Sequence, residues 1–324
     1  MLEHGGNLSL AAAQYGIPLA DWLDLSTGIN PNNYPITEIP ASIWQRLPSD
    51  DDGLIEVAQA YYGCQSVLPT AGSQAALQVL PKLRSPCKVA MLNPMYQEHA
   101  YAWKRHGHQV TTFTSLSEES LSQADVILLC NPNNPTARRF STHDLLTLHT
   151  TLINRGGWLI VDEAFMDATP EHSLAQHAHL EGLFVLRSLG KFFGLAGARV
   201  GFLLAAETSL KKMQEALGPW SLAGPSRLIA KQALLDHAWH RKTRVHLENT
   251  SQKLAKLLSH HGLTPLAGNA LFQYVATEKA MQWHHHLANR GIWVRLFTET
   301  PALRFGLPPD DSWEKLTHGL NSFQ

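Results

Sequence analysis

Five short apolar runs, separated by segments of helical character, limit more than anything else what this chain can fold into. The runs are almost continuously apolar and do not alternate; they are Lys88–Leu92, Val126–Cys130, Trp158–Val161, Leu183–Leu186 and Val200–Leu204. Strands of this kind are expected where helices cover both faces of a parallel sheet. Residues 96–106 and 141–155 have helical character and end near glycines, which suit a left-handed helix stop. The pattern predicts an α/β domain with a mainly parallel sheet.

The pattern changes after about residue 208. One long helical stretch is expected from about Pro225 to His261, and the short strands expected after it are Leu271–Val275, Ile292–Val294 and Leu303–Phe305. Strands mixed with helices in this way indicate a smaller α+β lobe. We therefore expect three parts: an N-terminal segment, residues 1–40, packing near the active site or the small lobe; a large domain, residues 41–208; and a small C-terminal domain, residues 209–324.

Charge and composition argue against several classes of partner. The formal net charge is -1 and 16% of residues are charged, without a basic stripe, so we expect no nucleic-acid partner. No stretch approaches the roughly 18 apolar residues of a membrane span, and we expect neither a membrane segment nor a secretory signal. Three cysteines at spacings that match no metal motif favour a cytoplasmic setting. The run His284–His286 is expected to be a solvated helix face and not a metal site.

Polar residues follow several of the predicted strands, and ligands of open α/β sheets bind at the carboxyl ends of strands. A related polar feature is Thr70–Gln74, where a glycine and a hydroxyl residue open an apolar helix. Backbone N–H groups at a helix start favour a phosphate. An ordinary helix cap by Ser73 is the alternative interpretation.

Two further features follow buried strands. In Asn131–Thr136, two prolines force the chain out of the sheet, and Asn134 can donate to a ligand oxygen; an ordinary Asn/Pro turn is the alternative. Asp162 ends the apolar run Trp158–Val161, so its carboxylate should be partly buried and should need a cationic or hydrogen-bonding partner. A helix cap or an internal salt bridge would satisfy it equally well.

The fourth feature is Lys191, within the segment Arg187–Arg199. Its apolar neighbours are Leu189, Phe192, Phe193 and Leu195. An apolar setting disfavours the ammonium form and leaves the amine available as a nucleophile for a Schiff base. A surface lysine in a glycine-rich loop is the alternative.

Taken together, these four features in this chain order resemble fold-type I pyridoxal 5'-phosphate (PLP) enzymes of the aminotransferase class I/II superfamily. The resemblance implies a PLP-dependent transferase fold, α/β, with a large domain that binds PLP on a mainly parallel sheet and a smaller α+β domain. It implies that Lys191 forms the Schiff base with PLP, that Asp162 pairs with the pyridinium nitrogen, and that Asn134 binds the 3' oxygen of the ring. These are the three expected catalytic residues.

The same resemblance implies further contacts. Tyr96 is expected to stack on the cofactor ring, and Gln74 to lie among the cofactor-binding residues. The cofactor phosphate would be held by Gly72, Ser73, Ser188 and Arg199. Arg304 matches the arginine that binds the substrate carboxylate, although a surface salt bridge is the alternative for it.

Three segments narrow the resemblance: His4–Asn7, Asp24–Pro31 and Arg187–Phe192 are similar to those of threonine-phosphate decarboxylases. These homodimeric enzymes of cobalamin biosynthesis convert L-threonine O-3-phosphate to (R)-1-amino-2-propanol O-2-phosphate and CO2. The resemblance implies a phosphorylated amino acid as substrate. We expect His4 and Asn30 to help bind its phosphate.

Two other functions stay open at this point. One is an aminotransferase that acts on a phosphorylated amino acid such as histidinol phosphate. The other is a PLP-binding regulator without turnover. Such proteins usually carry a DNA-binding domain, and the neutral charge balance argues against binding to DNA.

Three positions depart from the superfamily pattern. Phe165 stands where many relatives have a tyrosine that donates to the 3' oxygen of PLP. Leu47 stands where a tyrosine often contacts the phosphate bound by the partner subunit. Ala137 replaces a glycine, a change that matters only if the position needs a positive φ.

Overall fold

A computed structural model describes residues 5–117, 119–321 and 323, and His4 therefore lies outside the described residues. The chain forms two compact units. We call residues 34–134 and 138–240 the larger unit, and residues 5–33, 135–137 and 241–323 the smaller unit.

A seven-stranded sheet forms the centre of the larger unit, in the order β2-β8-β7-β6-β5-β3-β4. Its strands are β2 (Val67–Ala71), β3 (Lys88–Leu92), β4 (Gln109–Phe113), β5 (Val126–Cys130), β6 (Trp158–Asp162), β7 (Leu183–Ser188) and β8 (Val200–Ala205). Five neighbouring strands pair in parallel, in the order β4, β3, β5, β6 and β7. The strand β8 runs antiparallel to both of its neighbours, β7 and β2. The five predicted strands and the mainly parallel sheet are thus confirmed.

The two strands that the apolar runs did not reveal lie at the edges of this sheet. In β4, three of the five residues are exposed, so the strand has no continuous apolar run. In β2, Pro69 interrupts the run, and an edge strand tolerates a proline because one side of its backbone needs no ladder partner. Burial on both faces is what made the inner strands recognisable.

The helices of the larger unit connect these strands or pack against them. They are α2 (Ala41–Gln45), α3 (Leu54–Tyr62), α4 (Ser73–Val79), α5 (Glu98–Arg105), α6 (Thr142–Ile153), α7 (Glu207–Leu217) and α8 (Gly224–Leu235). Because α7 packs on α4 and β8, and α8 packs on α3, the larger unit extends to residue 240. The expected boundaries were residues 40 and 208, and the division into these two units falls elsewhere.

The long helix expected from Pro225 to His261 is two helices. The second, α9 (His237–His260), begins after Asp236, whose backbone is not helical. The Asp236 carboxylate accepts a hydrogen bond from the backbone N–H of Trp239 at 2.9 Å. Aspartate caps helix starts in this way, and the cap ends one helix and begins the next.

A five-stranded sheet, β1-β11-β12-β10-β9, forms the centre of the smaller unit. Its strands are β1 (Leu23–Leu25), β9 (Ala267–Asn269), β10 (Phe272–Ala276), β11 (Ile292–Phe297) and β12 (Ala302–Gly306), and its other helices are α1 (Leu8–Tyr15), α10 (Ala280–Ala288) and α11 (Trp313–Asn321). The strand β1 pairs in parallel with β11, so the N-terminal segment completes this sheet.

The expectation that His284–His286 is a solvated helix face is wrong for His284. That residue is 8% exposed, and its ring lies 4.6 Å from the ring of Trp293. The three side chains do point in different directions: His285 contacts the Tyr15 hydroxyl at 2.7 Å, and His286 contacts the carbonyl of Gly319 at 3.0 Å. Burial lowers the pKa of His284 from its ordinary value to about 4.

Among the described residues, none of the helices combines the length with the apolar character that a bilayer crossing requires.

The buried imidazole predicts an acid-dependent stability. The pKa of His284 is lower in the folded than in the unfolded chain, so the unfolded chain binds more protons between about pH 6.5 and 4. Stability should therefore be full above about pH 6.5 and fall by about 1–3 kcal/mol as pH drops toward 4. Thermal unfolding of His284→Gln, followed from pH 7 to 4, should show a smaller loss of stability than that of the wild type. The exposed His318→Gln is the control, and equal slopes in the two variants would contradict the assignment.

Candidate active site

Three neighbouring strand ends bring together the residues predicted to hold a phosphate. Strand β2 leads into Gly72 and Ser73, β7 ends at Ser188, and β8 begins directly after Arg199. Because β8 is antiparallel and lies between the other two, its start meets their carboxyl ends at one edge of the sheet. We call these residues the phosphate cradle.

Close approach of backbone and side chain defines the phosphate cradle. Gly72 has φ 72° and ψ 159°, a conformation that is essentially restricted to glycine. A Cβ atom there would lie 2.6 Å from the guanidinium of Arg199. Gly72 itself caps α4, without a side-chain cap, so the interpretation of Ser73 as an ordinary cap is wrong. The cradle therefore presents a helix start and a cation to one place, as an anion requires.

Gly201 is a member of this arrangement that the sequence did not reveal. A Cβ atom at Gly201 would lie 2.1 Å from the backbone nitrogen of Ser73. Only glycine allows β8 to pass this close to the start of α4. The signal was present in the sequence, because a glycine inside an apolar strand often marks a close backbone approach.

At the end of β6, the carboxylate of Asp162 is 7% exposed and is held by two partners. One oxygen accepts the backbone N–H of Ala164 at 3.0 Å, and the other contacts Nε2 of His99 at 2.9 Å. His99 is itself only 1% exposed. The sequence predicted that this carboxylate needs a partner but did not identify His99, which lies 63 residues earlier in the chain.

Tyr96 lies beside this pair, with its ring centre 6.0 Å from that of His99. The sulfur of Cys130, at the end of β5, accepts the backbone N–H groups of Tyr96 and Asn134 and lies close to Asp162. The Tyr96 hydroxyl donates to Oε1 of Gln74 at 3.4 Å. Burial first, and then the nearby Glu98 and Asp162 carboxylates, raises the pKa of Tyr96 to about 12. Tyr96 therefore stays neutral at physiological pH.

Lys191 follows β7 and lies beside an aromatic ring. Its Nζ is 5.4 Å from the centre of the Phe165 ring, within the range of a cation–π contact. The next two residues, Phe192 and Phe193, are fully buried, and the ring of Phe193 stacks on Trp239 at 5.5 Å. Lys191 is itself partly exposed. The buried Phe192 and Phe193 thus fix the backbone at Lys191, while the Lys191 side chain stays accessible.

A buried ion cluster supports both strand ends that carry the reactive groups. Arg187, on β7, contacts Glu163 at 2.8 Å and Asp167 at 2.5 Å, and all three side chains are at most 1% exposed. Glu163 directly follows Asp162, and Arg187 precedes Lys191 by four residues. Burial raises the pKa of Glu163, although Arg187 opposes the shift. Breaking such a cluster leaves a buried charge without compensation, so it holds the two loops firmly.

In the smaller unit, the predicted Arg304 lies beside a second arginine. Arg304 on β12 is directly opposite Arg295 on β11, and cross-strand partners point to the same face of a sheet. Burial first, and then the charge of Arg295, lowers the pKa of Arg304 to about 10, which still leaves it cationic at physiological pH. Two like charges side by side favour an anion between them. Arg295 is a further residue that the sequence did not reveal.

The predicted Asn30 lies in the same unit and is 2% exposed. Its side-chain oxygen accepts the backbone N–H of Asn32 at 2.9 Å. This turn fixes the orientation of the Asn30 side chain. The remaining predicted substrate residue, His4, is outside the described residues.

The structure bears on two of the three positions that depart from the superfamily pattern. Ala137 has φ 55°, so this position does require the left-handed conformation that glycine adopts more readily. Leu47 is 67% exposed, so an apolar side chain stands at the surface where many relatives have a tyrosine.

One group of potential metal ligands exists among the described residues: His99, Cys130 and Asp162, whose ligand atoms lie within 4.8 Å of one another. The 2.9 Å contact between His99 and Asp162 is the spacing of a hydrogen bond. We therefore interpret the group as a hydrogen-bonded cluster.

Comparison with known proteins identifies the family. The model of "Aminotransferase class I and II" matches residues 50–323. The chain belongs to the aminotransferase class I and II family. It is 50% identical to the threonine-phosphate decarboxylase of Pseudomonas aeruginosa, over 100% of this chain and 98% of the relative. It is 37% identical to the threonine-phosphate decarboxylase of a Sinorhizobium species, over 97% and 96% of the two chains.

Solved structures show the same fold. The histidinol-phosphate aminotransferase of Sinorhizobium meliloti, solved in complex with pyridoxal 5'-phosphate, superimposes with a TM-score of 0.81. It is 18% identical, and the alignment covers 99% of this chain and 96% of that one. The predicted fold-type I architecture is thereby confirmed.

The residues of the larger unit fit PLP, the cofactor that the family implies. The phosphate cradle suits its phosphate, and the buried Asp162 carboxylate suits a protonated ring nitrogen. Lys191 supplies the primary amine that its aldehyde requires. These three groups lie along one edge of the sheet, where ligands of open α/β sheets bind.

Gly201→Ala tests the phosphate cradle. The added Cβ would displace the backbone nitrogen of Ser73, and we expect the Kd for PLP, measured by absorbance titration, to rise at least about tenfold. Gly197→Ala is the matched control, because a Cβ atom at Gly197 meets nothing within 4 Å. Equal affinity in the two variants would contradict the assignment.

Phe165→Tyr tests the departure beside Lys191. A hydroxyl at this position could donate to the 3' oxygen of PLP, and a hydrogen bond to the anionic form favours deprotonation. The pH midpoint of the visible absorbance change of the PLP-loaded protein should therefore fall. Phe165→Leu removes the ring without adding a donor, and an equal downward shift in that variant would show that the hydroxyl is not the cause.

Proposed function

We propose that this protein is a PLP-dependent carboxy-lyase that converts L-threonine O-3-phosphate to (R)-1-amino-2-propanol O-2-phosphate and CO2. The observation that carries the proposal is the 50% identity to a threonine-phosphate decarboxylase over the whole chain. The second such relative also matches over almost its full length. The reaction belongs to cobalamin biosynthesis, and we place the protein in that pathway.

Bound PLP would supply an electron-withdrawing ring that takes up the electron pair of a bond broken at the substrate α-carbon. Asp162 would keep the ring nitrogen protonated, because a buried carboxylate stabilises a cation beside it. His99 supports this role by fixing one carboxylate oxygen. Tyr96, two residues before the start of α5, would cover the face of the ring.

Lys191 has two roles in this proposal. Its amine would hold the cofactor when substrate is absent, and it would then be the group able to deliver a proton to the α-carbon. The partial exposure of its side chain suits an amine that has to change partners. Asn134 would donate to the 3' oxygen of the ring.

The substrate of the proposed reaction carries two anionic groups, a carboxylate and a phosphate. Arg304 would bind the carboxylate, and its cross-strand neighbour Arg295 adds a second cation of the kind that a phosphate requires. Asn30, and His4 as a prediction from the sequence, would add polar contacts to the phosphate. Orientation of the α-carbon by these anion contacts would decide whether CO2 or a proton leaves.

An aminotransferase that acts on histidinol phosphate is the second candidate, favoured by 28% identity to a histidinol-phosphate aminotransferase over 76% of this chain. The products distinguish the two. The PLP-loaded protein should release CO2 and aminopropanol phosphate from L-threonine O-3-phosphate and should not consume 2-oxoglutarate with histidinol phosphate. The opposite pattern would replace the proposed function by the second candidate.

Lys191→Ala should abolish the visible absorbance that PLP gains on the protein and reduce CO2 release to background, because the variant lacks the required amine. Lys211→Ala, at an exposed position on α7, is the control and should behave like the wild type. A Lys191→Ala protein with an unchanged spectrum would remove this residue from the site.

The proposal includes two predictions about the protein in the cell. We expect a cytoplasmic enzyme, which the number and spacing of its three cysteines favour, and a homodimer, as the resemblance implies. Sedimentation of the PLP-loaded protein measures its mass in solution and so tests the prediction of a homodimer.

A further inference from the structure

The segment Asp24–Ser26, at the end of β1, contains a carboxylate that none of the roles above uses. One oxygen of Asp24 accepts two hydrogen bonds from Ser26, from the backbone N–H at 2.8 Å and from the hydroxyl at 2.6 Å. Ser26 is completely buried. A carboxylate that binds a residue two positions later closes a tight turn, and here it fixes the backbone and the side chain of Ser26 together.

Ser26 in turn binds two other parts of the smaller unit. Its hydroxyl accepts the backbone N–H of Gly6 at 2.7 Å. Its carbonyl accepts a hydrogen bond from the Arg304 guanidinium at 2.6 Å. One buried residue therefore connects the N-terminal segment to the arginine expected to bind the substrate.

Backbone from two other segments approaches the turn at Ser26 and Thr27 closely. A Cβ atom at Gly5 would lie 2.4 Å from the Ser26 carbonyl oxygen, and one at Gly306 would lie 2.1 Å from the carbonyl oxygen of Thr27. Glycine at both positions lets the N-terminal segment and β12 approach the turn from two sides. A small shift of Ser26 would therefore change the position of Arg304.

We propose that Asp24 is a positioning residue, which through Ser26 holds the Arg304 guanidinium and the Gly5–Gly6 segment in the geometry that binds the anionic substrate. The inference deepens the proposed function and rests on it for the identity of the substrate. Asp24 does not touch the substrate in this proposal. Its negative charge also favours the cationic form of Arg304, since the two groups interact electrostatically.

Two substitutions at Asp24 separate hydrogen bonding from charge. Asp24→Asn keeps a side-chain oxygen for the two bonds from Ser26, whereas Asp24→Ala removes both. Ser26→Ala is a second, milder variant, because it deletes only the hydroxyl bonds to Asp24 and Gly6. Ser251→Ala is the matched control, because Ser251 is also buried in the smaller unit and donates its hydroxyl to the Asn269 carbonyl at 2.7 Å.

The measurement is the Kd for L-threonine O-3-phosphate, obtained by titrating the absorbance of the PLP-loaded full chain. We expect Asp24→Ala to weaken binding about tenfold, which is about 1.4 kcal/mol. Ser26→Ala should weaken it by a smaller factor, and Asp24→Asn and Ser251→Ala should stay within about threefold of the wild type. PLP affinity should be unchanged in all four variants.

Three results would overturn the inference. The first is wild-type substrate affinity in Asp24→Ala. The second is an Asp24→Asn protein as weak as Asp24→Ala, which would assign the effect to charge and not to position. The third is an equal loss in Ser251→Ala, which would indicate a general loosening of the smaller unit.

A second readout needs no substrate. The rate at which phenylglyoxal labels Arg304, followed by peptide mass spectrometry, should rise several-fold in Asp24→Ala and stay unchanged in Asp24→Asn and Ser251→Ala. If the wild type fails to bind L-threonine O-3-phosphate, the proposed function fails, and labelling still decides the positioning role. An unchanged rate in Asp24→Ala would refute it.

Discussion

The contact between Asp162 and His99 is the interaction on which the candidate active site of the larger unit depends. Both side chains are almost completely buried, and an ionised carboxylate in such a place needs partners for its oxygens. His99 and the backbone of Ala164 supply them. A carboxylate held by two partners at the end of an apolar strand is suited to pair with a cationic ring beside it.

Around this carboxylate, the chain uses two different kinds of support. The Arg187 cluster relies on buried ion pairs, which fix the residues next to Asp162 and before Lys191. The phosphate cradle relies on glycine, which lets backbone and guanidinium come within distances that a side chain would prevent. Charge pairs resist displacement, while glycine allows close approach. The site needs both, since its acid and amine must stay fixed around a ligand that fits closely.

The sequence predicts the inner strands of the larger sheet well, because burial on both faces leaves continuous apolar runs. It predicts the exposed edge strand β4 poorly, because exposed residues erase that pattern. The same contrast holds in the site. Asp162 and Lys191 stand out through their apolar neighbours, whereas His99 and Arg295 acquire their significance only from residues distant in the chain. The break at Asp236 was missed because a single helix cap is a weak signal in a long helical stretch.

The position of β8 has a consequence for how the protein matures. Residues 72, 73, 188 and 199–201 are scattered over more than a third of the chain, and β8 alone pairs with both of the strands that carry the others. The phosphate cradle is therefore complete only when β8 is paired in the sheet. A ligand that binds the finished form and not its precursors stabilises it by mass action. Bound PLP would therefore stabilise the protein with a complete central sheet relative to forms in which β8 is unpaired.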